Sequence, residues 1–271
     1  MNVQNVQKEN NITVTVSGQA AKLRYGLGAF TSQRVQQDAF SLSNSAIIRK
    51  NPIEAVYEKF LLRYNQNALI ERYMNEKAVA KMLESAPAVK QLLEEKGVNP
   101  TICIENLRKI ENTHVNTTVA FAKAIADEMN LSKAEKETVA LGSLFHDFGK
   151  IMIPEEIINK NGKLTPEERA VIDTHSRIGY ELLKTTGMDT QALAIIRNHH
   201  RAASMTTDVM SKIVSVADVY SALTEKRSYK KEMSSEDAFK LMQSFVEEGK
   251  LDGEIVNALK SSLAKSSKQA A

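Results

Sequence analysis

The chain has five histidines, at positions 114, 146, 175, 199 and 200. His146 is followed directly by Asp147, and the pair closes a largely apolar run from Val139 to Phe145. Imidazole nitrogen and carboxylate oxygen are both good ligands for iron, manganese or zinc. A carboxylate can also bridge two cations. His175 shares one helical stripe with Val171, Ile178 and Leu182, at offsets 0, 4, 7 and 11. A ring buried in such a stripe needs a partner. His199-His200 closes another apolar segment, Ala192 to Ile196. Adjacent helical residues point about 100° apart, so this pair can serve two metals, or one metal and a substrate. Asp218 follows Val214 and Ala217 on or near a buried face, where an isolated carboxylate is costly. Singly, each feature has an ordinary explanation: a core histidine, a helix C-terminus, a partner for Arg or Lys. Together they leave no histidine on an obvious surface segment, and the joint reading is a metal centre.

The elements that must position these groups read as helices. Ser132 and Glu135 form a capping box. Thr165-Pro166 with Glu168 marks a second helix start, and Asn51-Pro52-Ile53-Glu54 a third. Further helices open at Ser234 to Asp237 and at Asp252 to Glu254, while Gly162 and Gly187 mark turns. The fold class is all-α: a helical bundle preceded by a smaller helical N-terminal region. Residues 1–50 form a polar, partly disordered arm in which Ile12, Val14 and Val16 alternate with threonine as a short strand would. Residues 51–100 form the N-terminal helical region. The break at Gly97, Asn99 and Pro100 sets the boundary of the main domain, 101–265, and the tail 266–271 is frayed.

Bulk properties narrow the setting. The 36 basic and 33 acidic residues leave a formal net charge of +3, too balanced to favour nucleic acid or an anionic membrane. Cys103 is the single cysteine, so an intramolecular disulfide and a multi-cysteine zinc site are excluded, and a cytoplasmic setting is expected. The N-terminus lacks the basic-then-apolar order of a signal peptide, and no run approaches the roughly 18 apolar residues of a membrane helix.

From about residue 105 to 265 the chain resembles the HD-GYP domain, a subgroup of the HD metal-dependent phosphohydrolases. His146-Asp147-Phe148-Gly149-Lys150 looks like the HD-x-GK signature. Ile153-Pro154, Lys160, Gly162, Leu164, His175 and Gly179 follow in the family's order, and His199-His200 matches its histidine pair. Val216 to Tyr220, Ala222-Leu223-Thr224, Arg227 and Tyr229-Lys230 resemble a further family segment, as does Leu251 to Val256.

The resemblance implies an HD-type helical bundle holding two divalent ions, iron or manganese. It assigns His114, His146, Asp147, His175, His199, His200 and Asp218 as ligands, with Asp147 bridging. Asp147 and Lys150 are the expected catalytic residues, and Lys150, Arg227 and Lys230 the expected phosphate contacts. The expected activity is a phosphodiesterase acting on a cyclic dinucleotide, cyclic di-GMP first, in second-messenger signalling. Three departures stand out. His200 is followed by Arg201-Ala202-Ala203-Ser204-Met205, with no Gly-Tyr-Pro, which puts the substrate in doubt more than the metals. Ser221 stands where the family usually has a second aspartate, and Ile110 where three-metal members carry a glutamate. The alternatives are an HD hydrolase of another nucleotide or phosphoester, and a metal-bound, non-catalytic nucleotide sensor. Signalling proteins and a second copy of the chain are the candidate protein partners.

Overall fold

The computed structural model describes residues 76–103, 113–225 and 232–269. All regular structure within them is helical. The strand expected at 12–16 and the cap expected at Asn51 lie outside the described residues. No helix among the described residues is long and apolar enough to cross a membrane.

Helices α1 (Glu76–Glu84) and α2 (Pro87–Glu94) come first. After them run α3 (Thr113–Glu128) and α4 (Lys133–Phe145), then a 3-10 helix, Phe148–Met152. The short α5 (Glu155–Ile158) and α6 (Pro166–Ile172) lead into α7 (His175–Leu183) and α8 (Thr190–Asn198). A 3-10 turn, Ala203–Met205, precedes α9 (Val209–Thr224), α10 (Ser235–Glu247) and α11 (Gly253–Gln269). The expected starts are in place. Ser132 with Glu135, and Thr165 with Glu168, form reciprocal capping boxes. The Ser234 hydroxyl accepts from the Asp237 amide. Asp189 and Asp208 cap α8 and α9 in the same way, though neither was singled out in the sequence. A cap of this kind contributes about 1 kcal/mol by satisfying amides that the first turn leaves open.

Three details differ from the sequence reading. The chain break at 97–100 does not separate two cores. Val79, Leu83, Val89, Leu93 and Ile102 share one buried cluster with Phe145, Phe148, Ile178 and Leu182. The Cys103 amide donates to the Ile151 carbonyl at 2.8 Å. Gly97, at φ +69°, ends α2 with a left-handed turn, so the break is a bend within the bundle. The stripe Val171, His175, Ile178, Leu182 is buried as expected, but it spans the end of α6 and the start of α7. At the C-terminus, α11 stays helical through Gln269 where fraying was expected from Ser266.

A second cluster gathers Phe121, Ile125, Ile195, Ile213, Val216, Tyr220, Met242 and Leu259 from α3 and α8 to α11. Helices α3, α4 and α8 contribute to both clusters, and they carry His114, His146 and His199. Backbone closeness sets the last distance. A Cβ on Gly149 would lie 1.9 Å from the His175 carbonyl oxygen and 2.6 Å from the Gly179 amide nitrogen. Only glycine lets the 3-10 helix after Asp147 touch α7 and bring Asp147 beside His175.

Candidate metal centre

Three of the histidines are built the same way. The ring Nδ1 of His146 lies 2.7 Å from the Ser143 carbonyl oxygen. That of His175 lies 2.7 Å from the Ile172 oxygen, and that of His199 2.9 Å from the Ile196 oxygen. Each carbonyl sits in the last turn of α4, α6 or α8, where the helix supplies no amide to bond it. A carbonyl only accepts, so Nδ1 must carry the hydrogen, and the neutral ring presents a lone pair at Nε2. Helix ends therefore fix both the tautomer and the direction of these three rings.

Those lone pairs converge. His175 Nε2 and His199 Nε2 are 3.3 Å apart, and His200 Nε2 is 3.2 Å from His175 Nε2. Ligand atoms of His175, His199 and His200 lie within 4.8 Å of one another, as do those of His114, His146 and Asp218. Asp147 faces both groups: Oδ1 is 3.4 Å from His175 Nε2 and Oδ2 is 3.5 Å from His146 Nε2. His146 and His199 are fully buried, while the His200 side chain is 49% exposed and opens the cluster to solvent.

The donor set fits divalent ions. His146 Nε2 is buried without a hydrogen-bond partner, although Asp218 Oδ1 is 3.7 Å away. Two unprotonated nitrogens facing each other at 3.3 Å repel unless a cation lies between them. Burial pushes the His175 ring down to about 3, although Asp147 opposes it. Burial and the neighbouring histidines push His199 well down. These rings are neutral ligands at neutral pH. Burial works against charge on Asp147 and Asp218, yet Lys150 and the histidines hold Asp147, and His114 and His146 hold Asp218, well below the usual carboxylate range. Neutral imidazoles at His175 and His199 beside ionised carboxylates are what Fe, Mn or Zn require. Burial lowers His146, but the Asp147 and Asp218 carboxylates outweigh it and raise that ring, which would release a proton on meeting an ion.

His114 is anchored differently. Its Nε2 lies 2.9 Å from Asp218 Oδ1, and its Nδ1 lies 3.0 Å from Ser221 Oγ and 3.3 Å from Glu225 Oε2. Burial lowers its pKa, but the bonds to Asp218 and Glu225 outweigh that and raise it to about 9. Glu225 was not singled out in the sequence. Its signal was there: Asp218, Ser221 and Glu225 fall at offsets 0, 3 and 7, one face of a helix.

All seven expected ligands thus lie in one cluster. Lys150 is close by, with Nζ 2.6 Å from Asp147 Oδ2. Arg227 and Lys230 lie outside the described residues, as does Ile110. The connection from His200 to α9 is short. Its Ala203 and Ser204 amides donate to the Lys250 and Gly249 carbonyls between α10 and α11. Met205, 65% exposed, lies on this connection, which lacks the Gly-Tyr-Pro of the resembled family.

The chain is similar to several known proteins. The cyclic di-GMP phosphodiesterase response regulator RpfG of Xanthomonas campestris is 34% identical over 151 residues, covering 51% of this chain and 39% of that protein. The 3'3'-cGAMP-specific phosphodiesterase 1 of Vibrio cholerae is 26% identical over 230 residues, covering 76% of this chain and 53% of that protein. The chain therefore spans about half, or less, of the length of these relatives. A solved HDG"Y"P protein from Bdellovibrio bacteriovorus has the same fold, with a TM-score of 0.51 and 18% identity over 80% of this chain and 73% of that one. The model of the HD domain family matches residues 77–255, from α1 into α11, and by that match the chain belongs to the HD domain family.

Proposed function

We propose that this protein is a metal-dependent phosphodiesterase that opens a cyclic dinucleotide, with cyclic di-GMP the first substrate to test. The observation that carries this reading is the pair of ligand groups, His175/His199/His200 and His114/His146/Asp218, with Asp147 facing both. Two divalent ions held there, iron or manganese, would lower the pKa of a water and draw charge from the phosphoryl oxygens. The residues of the chain do the rest. The helix-end carbonyls hold the His146, His175 and His199 rings in the tautomer that presents Nε2. Asp147 bridges the groups, and Lys150, paired to it now, moves its charge toward the scissile phosphate when substrate enters. By the family resemblance, Arg227 and Lys230 would hold the substrate phosphates.

The Xanthomonas and Vibrio relatives support this class, since they are named as phosphodiesterases of cyclic di-GMP and of 3'3'-cGAMP. The short connection after His200 favours a second reading on the same site, a different cyclic dinucleotide or other phosphoester. One experiment addresses both. The protein is prepared anaerobically with manganese or iron and incubated with cyclic di-GMP and 3'3'-cGAMP, and products are separated by chromatography. A His146→Ala/Asp147→Ala double variant is the control. Conversion of cyclic di-GMP to the linear dinucleotide or GMP, lost in the control, is the expected result. Conversion of 3'3'-cGAMP alone would move the assignment to the second reading. Binding of nucleotide without turnover in the metal-loaded protein would overturn the enzymatic reading in favour of a sensor.

A further inference from the structure

His114 meets side chains of another helix at its Nδ1. They come from α9 and the residue just beyond, Ser221 and Glu225. Those groups drain toward one carboxylate. Ser221 Oγ lies 3.2 Å from Glu225 Oε1 and 2.6 Å from Thr117 Oγ1, and the Thr117 hydroxyl also donates to Glu225 Oε1. A carboxylate only accepts, so it sets the polarity of the whole chain of hydrogen bonds. The His114 Nδ1 hydrogen points to Ser221 and Glu225, and Nε2, which donates to Asp218 Oδ1 at 2.9 Å, is the nitrogen left to meet an ion. The Glu225 side chain is only 16% exposed, so this charge acts where water screens it little.

Resting on the metal-centre reading above, we infer that Glu225 is the positioning residue for His114: it fixes the ring's tautomer and aim and strengthens Nε2 as a metal ligand. An aspartate was expected at 221 from the family resemblance, and Ser221 stands there instead. Glu225 lies one helical turn beyond, on the same face, and its longer side chain reaches the same ring nitrogen. A carboxylate one turn along the helix thus meets the ring that Ser221 also touches. A histidine ligand whose second nitrogen donates to a carboxylate is oriented and made more basic, and losing such a partner costs about 10- to 100-fold in metal affinity.

Mn2+ binding to the full chain, followed by calorimetry and by the electron-spin signal of free Mn2+, tests this without reference to turnover. Glu225→Ala is expected to weaken Mn2+ binding by about 10- to 100-fold. Glu225→Gln, nearly the same size and still an acceptor, should fall between. Ser221→Asp/Glu225→Ala should restore affinity, because position 221 already touches the His114 ring. Unchanged Mn2+ affinity in Glu225→Ala and Glu225→Gln would overturn the inference and leave the metal centre intact. Affinity that falls in Glu225→Ala and fails to recover in the double variant would also overturn it, marking a merely structural loss. Failure of the unaltered protein to bind Mn2+, Fe2+ or Zn2+ would be a different result, and would remove the metal-centre reading together with this one.

Discussion

His175 and His199 are held by the carbonyls of their own helix ends, three residues away, whereas His114 is held by a side chain 107 residues away on another helix. The first half of the centre is a set of imidazoles whose charge is suppressed by burial. The second half contains Asp218, with Glu225 behind it, and these carboxylates raise His114 to about 9. Local anchoring survives any change that leaves the helix end intact. Side-chain anchoring needs α3 and α9 in register, and it can be tuned by substitutions that never touch an ion. The nitrogen half is therefore the rigid part of the centre and the carboxylate half the adjustable part.

Asp147 faces both halves, so its removal should break the contrast most completely. Asp147→Ala should lower turnover by about 1,000-fold or more, several kcal/mol of lost transition-state stabilisation. Metal analysis of the same variant should show loss from both halves. Retention of one ion at unaltered affinity would mean that Asp147 belongs to one half only. Next in size is Gly149→Ala. The added Cβ would meet the His175 carbonyl at 1.9 Å, and forcing the backbones apart should cost about 3 kcal/mol. A denaturant melt that hardly moves would show that the Gly149–Gly179 approach is not what holds Asp147 beside His175.

Metal itself sharpens the comparison at a similar scale. Adding Mn2+ at about 100 times its Kd to metal-free protein should stabilise it by about 2.7 kcal/mol per site. His199→Ala should abolish that gain in the nitrogen half by removing one of the two opposed lone pairs. A thermal shift equal in both proteins would argue against an ion between His175 and His199. The smallest effect is expected at Ser132→Ala, which removes the cap of α4 far from its His146 end. It should cost about 1 kcal/mol of stability and leave Mn2+ affinity unchanged. A change in metal binding there would mean that α4 transmits strain along its length.

Much of this was legible in the chain. Capping boxes at Ser132 and Thr165 are local, since a hydroxyl and a carboxylate within one turn satisfy each other whatever surrounds them. His146 follows directly on an apolar helical run and His199-His200 comes two residues after another, so their place near helix ends was readable, and with it the carbonyls that hold His146 and His199. The boundary drawn at Gly97 to Pro100 was not reliable, because a glycine turn looks the same whether the helices before it pack inward or away. Glu225 was overlooked for a related reason: its partners are His114 and Thr117 as much as Ser221.

The sequence by itself determined most of the helices and several of their caps, because propensity and capping act within a few residues, and its family resemblance named the seven candidate ligands. Only the tertiary structure decided that α1 and α2 share the core of the later helices, that Gly149 meets α7, and that Asp147 stands between two ligand groups. It alone joined Glu225 to His114. Those outcomes depend on which helix faces pack together across the core. Burial is shared among distant segments, and no short window of sequence records it.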